Sequence, residues 1–71
     1  MADRASELLQ ACTAAHLDGA DFPTIWNKIL KRDSFVAGIP VQGRNSEGPT
    51  LEVPLFTGQR LIFDSHGFSI A

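Results

Sequence analysis

The chain predicts an α+β fold: two N-terminal helices packed on a small C-terminal antiparallel sheet of two or three strands. Three observations lead there. As far as Asp33 the apolar residues recur every three or four positions, which is the period of a helix; beyond it they tend to alternate, which is the period of a strand. Gly and Pro punctuate the places where one pattern gives way to the next. At 71 residues there is material for one core and therefore one domain.

The first helix is expected over about 2–17. Ala5, Leu8, Leu9, Cys12, Ala15 and His16 or Leu17 form one stripe, and alanine raises the intrinsic propensity. Asp18-Gly19 stops it, with Gly19 suited to a left-handed cap. The second helix is expected over about 22–32. Asp21 is placed to cap it, Pro23 fits its first turn, and Phe22, Ile25, Trp26, Ile29 and Leu30 repeat at helical intervals. Lys28, Lys31 and Arg32 lie toward its C-terminal end, where cations complement the helix dipole.

An extended segment follows over 34–42, apolar and β-branched but broken by Gly38 and Pro40, which suits an edge or a stretch laid over the core. Residues 43–50, "GRNSEGPT", read as a loop. Residues 51–64 read as a hairpin. A three-residue connection at Thr57–Gln59 sets Leu55 opposite Leu61 and Val53 opposite Phe63. One face then carries Leu51, Val53, Leu55, Leu61 and Phe63, at the cost of Glu52 facing Asp64. The tail, 65–71, turns at Gly67 and ends as a short strand or a loose end.

The formal net charge of −2 argues against a protein built to hold phosphate backbones. No apolar run approaches the roughly 18 residues a bilayer span needs, and Asp3 and Glu7 interrupt what a secretory signal would keep apolar. The lone cysteine, Cys12, forms no intramolecular disulfide and suits a reducing, cytoplasmic setting. His16 and His66 are far apart with no cysteine near either, so neither a metal site nor a cofactor is expected.

No catalytic arrangement is expected. Cys12 and His16 stand four apart on one helix face, but nothing nearby supplies an oxyanion site or orients the base. Asp64, Ser65 and His66 have the residue types of a hydrolytic triad, yet adjacency is not triad geometry, and a turn with local backbone bonds explains them. Trp26 shares its face with Ile25, Ile29 and Leu30 and is assigned to the core.

Two functions from different classes remain. A helix-turn-helix fits the spacing of Ala15, Gly19, Phe22 and Ile25, with Thr24, Asn27, Lys28 and Lys31 as nucleic-acid contacts and Arg60 on a wing. Against it, Asp18 and Asp21 occupy the end of the helix that such motifs present to DNA. The favoured expectation is a non-catalytic protein-interaction or regulatory module, joined to itself as a homodimer or to another protein. Two short helices cover one face of the hairpin, leaving apolar residues over. The expected surface comprises Phe35, Val36, Ile39, Val41, Phe56, Arg60 and Ile62.

Overall fold

The computed structural model describes residues 3–71; Ala2, the expected start of the first helix, lies outside them. Two helical segments precede a four-stranded antiparallel sheet in the order β1-β2-β3-β4. Helix α1 runs Arg4–Leu17. Asp3 caps it by accepting the Ala5 N–H at 3.3 Å, and Ala5, Leu8 and Cys12 are buried along one stripe. At the last turn the stripe passes through His16, while Leu17 is 80% exposed. Gly19 takes φ 93°, the left-handed conformation in which its N–H reaches the His16 carbonyl and ends the helix.

Helix α2, Phe22–Ile25, starts as the sequence requires: the Asp21 side chain accepts the Thr24 N–H at 3.0 Å and Pro23 sits in the first turn. It then widens into a π-helical turn over Trp26–Leu30, closed by the Lys31 N–H on the Trp26 carbonyl at 2.7 Å. Phe22, Ile25 and Leu30 are buried, and Trp26 and Ile29 pack half-buried against the core. The helical stretch thus ends at Leu30, two residues short of expectation. Asp33 closes the region: its carboxylate accepts the Phe35 N–H at 2.9 Å and pairs with Arg4, tying the start of α1 to the end of the second helix.

The sheet has four strands rather than two or three. Residues 43–50 do not form a loop. Strand β1, Val41–Asn45, and strand β2, Gly48–Pro54, flank a two-residue turn at Ser46 and Glu47. The polar, glycine-containing composition of this stretch gives no strand signal. What makes it a strand is the edge of β2, whose backbone groups need partners. Upstream, Val36 bridges Leu55, so the chain follows β2 in two pieces separated by Gly38 and Pro40. The tail is strand β4, Gly67–Ile70, paired with β3, Arg60–Asp64.

The register between β2 and β3 is offset by two residues from expectation: Leu51 faces Phe63 and Val53 faces Leu61. An offset of two leaves every side chain on its expected face. The connection is Phe56–Gly58, closed by the Leu55 N–H on the Gln59 carbonyl, because Gly58 at φ 87° supplies the left-handed residue a three-residue loop requires. Glu52 consequently faces Ile62 and pairs with Arg60 at 2.9 Å, and the unfavourable match with Asp64 does not arise.

The core lies between the helices and the inner face of the sheet, where Val53, Leu55 and Leu61 meet Ala5, Leu8, Cys12, Phe22, Ile25 and Leu30. At one end the rings of Phe22, Phe63 and Phe68 cluster, with Phe63 and Phe68 centroids 4.8 Å apart. His16 stands edge-on to Phe63 at 5.2 Å and to Phe68 at 6.1 Å.

Candidate functional site

Two surface regions merit functional consideration, and they share no residue. The first is a corner where the segment before β1 meets the end of β2. Cross-strand pairing places Val41, Glu52, Ile62 and Ser69 in one row on the outer face, with Pro54 beside Arg60 in the next. The helices pack on the opposite face. Gly38 brings the chain against Pro54, where a Cβ would come within 3.3 Å of the proline ring. Ile39 and Val41 are thereby carried to the surface, at 74% and 59% exposure, and Phe56 in the β2–β3 connection is 70% exposed. Ile62 is half-buried in the same sheet face.

Two members of the expected surface belong elsewhere. Phe35 and Val36 lie half-buried against the core. The Phe35 carbonyl accepts the Phe56 N–H at 3.0 Å, and the Ala37 N–H reaches the Pro54 carbonyl at 2.8 Å. These bonds and the Val36–Leu55 bridge hold the segment against the end of β2, where both side chains pack partly buried against the core. Arg60 is 65% exposed at its side chain and carries the Glu52 pair.

The second region lies at the turn end of the sheet. The sequences "NSEG" and "DSHG" form matching turns: Asn45 Oδ1 accepts the Glu47 N–H at 2.8 Å, and Asp64 Oδ1 accepts the His66 N–H at 2.9 Å. In both, the following glycine, Gly48 or Gly67, has positive φ. The two turns are joined, since Glu47 meets His66 Nε2 and accepts the Ser65 hydroxyl at 3.2 Å. Beside them a groove of about 550 Å³ opens toward the last turn of α1, lined by residues that include His16, Glu47, Thr50, Leu51, Phe63 and Asp64. His16 Nδ1 is buried and has no hydrogen-bond partner among the described residues. The sequence offers a signal for this region in Asx-Ser-x-Gly, which occurs at Asn45–Gly48 and again at Asp64–Gly67.

Cys12 is fully buried, and desolvation, followed by the negative charge of Asp33, pushes its thiol up to about 11. Of the residues proposed for nucleic-acid contact, Asn27 donates its side-chain amide to the Pro23 carbonyl at 3.0 Å, the Thr24 N–H serves the Asp21 cap, and Arg60 serves Glu52. Lys28 and Lys31 are exposed. The described residues contain no third helix. They hold no group of three or more His, Cys, Asp or Glu side chains arranged for a metal ion, and no helix among them is long and apolar enough to cross a membrane. No family model, curated protein or solved structure matches this chain.

Proposed function

We propose that this chain is a non-catalytic interaction module that pairs with a second copy of itself through the corner formed by Ile39, Val41, Pro54, Phe56 and Ile62. The observation that carries this reading is the joint exposure of Ile39, Val41 and Phe56 next to the sheet's outer face. Val41 is paired opposite Glu52, Gly38, the residue before Ile39, sits against Pro54, and Phe56 follows Pro54 by two residues. Three large exposed apolar side chains therefore flank the end of one strand, unlike single apolar residues scattered over a surface. Charge favours a second copy over an unrelated partner. Glu52 and Arg60 lie side by side on the same face, so a two-fold arrangement can set each copy's arginine against the other's glutamate. Small size works in the same direction, because a chain this short gains buried apolar surface by association. A lone buried thiol supports a reducing, cytoplasmic setting.

The test is sedimentation equilibrium on the unaltered chain and on Ile39→Ser and Phe56→Ser. Both side chains are exposed, so neither change removes core packing. The reading expects a self-associating parent and variants whose dissociation constants rise about tenfold or more, the scale of an interface side chain contributing over 1 kcal/mol. Variants that associate as tightly as the parent would refute it.

A further inference from the structure

We infer that the groove at the turn end of the sheet binds a small organic cation, an ammonium group carried on a compact apolar body. Its volume, about 550 Å³, falls in the size range of small-molecule sites. Leu51 and Phe63 provide an apolar floor, and both are only partly covered by the helices. The rim is polar and acidic. Glu47 and Asp64 contribute carboxylates, Thr50 and Ser65 hydroxyls, and no Lys or Arg lines the groove.

The hydrogen-bond inventory says which end of a ligand belongs where. Asp64 uses Oδ1 for the His66 N–H, and the described residues give Oδ2 no donor. Thr50 and Ser65 add hydroxyl oxygens to the same rim. The imidazole ring of His16 stands edge-on to Phe63 and closes the α1 side of the groove. An unused carboxylate oxygen and rim hydroxyls beside a partly exposed phenyl ring suit a group that has several donors and a positive charge. An anion would instead face two carboxylates with no cation in the lining. The groove shares no residue with the Ile39–Phe56 corner, so this inference stands or falls independently of self-association.

The test is an amide NMR titration of the full chain with 2-phenylethylammonium. Phenylpropionate is the control of similar body and opposite charge, and methylammonium is the control without the body. The inference expects saturable shifts centred on Leu51, Phe63 and Asp64 with the first probe, and much weaker ones with either control. Asp64→Asn keeps the oxygen that holds the turn and should weaken binding about tenfold, the scale of one charge-assisted hydrogen bond. Glu47→Gln, at an exposed position, should weaken it in the same direction. Three results would overturn the inference: no saturable shift with phenylethylammonium, equal binding of phenylpropionate, or both variants binding as the parent does.

Discussion

Cys12 gives the sharpest quantitative test of how the interior is built. Its side chain is fully buried between α1 and the sheet, and burial together with Asp33 raises the thiol from about 9 to about 11. Thiolate is the reactive form, so at pH 8 a rise of two units lowers its population about a hundredfold before any steric shielding is counted. Iodoacetamide labelling at pH 8, followed by mass spectrometry, should therefore run at least a hundredfold more slowly in the folded chain than in the same chain unfolded in urea. The raised value has a second consequence whose sign is fixed. Above about pH 9 the unfolded chain loses this proton while the folded chain keeps it, so the folded state loses stability with rising pH. At about 1.4 kcal/mol per unit, the loss reaches about 2 kcal/mol by pH 11 and levels off just under 3 kcal/mol above it, and it should be missing from Cys12→Ala. Labelling within tenfold of the unfolded rate would refute the packing described here and would restore Cys12 to consideration as a nucleophile.

Two further perturbations test the parts that position the surface. Gly43 has an ordinary negative φ, so Gly43→Ala would normally stabilise by about 0.4–1 kcal/mol through the unfolded chain. Here the added Cβ would meet the Glu52 carboxylate and stand 2.8 Å from Thr50 Oγ1, and overpacking of about 1–3 kcal/mol should win. Urea denaturation should show a net loss that shrinks in a Glu52→Ala background. Asp21→Ala removes the cap on α2 and should lower the thermal midpoint. The Thr24 hydrogen bonds hold the Asp21 carboxyl below its ordinary value, so the cap's contribution is present above the usual carboxylate range and is lost as pH falls through it. The midpoint difference between parent and variant should narrow below pH 3.

Much of this architecture is legible in the residues. Helix α1 and its glycine stop follow from the three-and-four spacing of Ala5, Leu8 and Cys12 and from a residue able to take φ 93° at position 19. The inner face of the central hairpin follows from parity alone, which is why Leu51, Val53, Leu55, Leu61 and Phe63 stay together despite a register offset of two. The offset itself was readable from turn chemistry, since Gly58 belongs at the left-handed third position of the connection. Strand β1 was not readable. Gln42, Gly43, Arg44 and Asn45 have poor strand propensity, and they pair because a tertiary neighbour supplies the bonds. The same limit applies to Phe35 and Val36: they pack against the core because the Phe56 and Leu55 backbone holds them there, a tertiary relation that no local pattern carries. The groove beside His16 depends on two separate turns meeting, a relation that no local pattern encodes.

The central claim, that this polypeptide presents more apolar surface than one copy encloses and pairs with another, is tested most directly by light scattering from the unaltered chain. Measured across micromolar to millimolar concentrations at two salt levels, the molar mass should rise to twice that of the 7.7 kDa chain. High salt should shift the midpoint modestly, because apolar contacts carry most of the pairing and the Arg60–Glu52 matches carry less. A mass that stays at 7.7 kDa over the whole range would contradict the account.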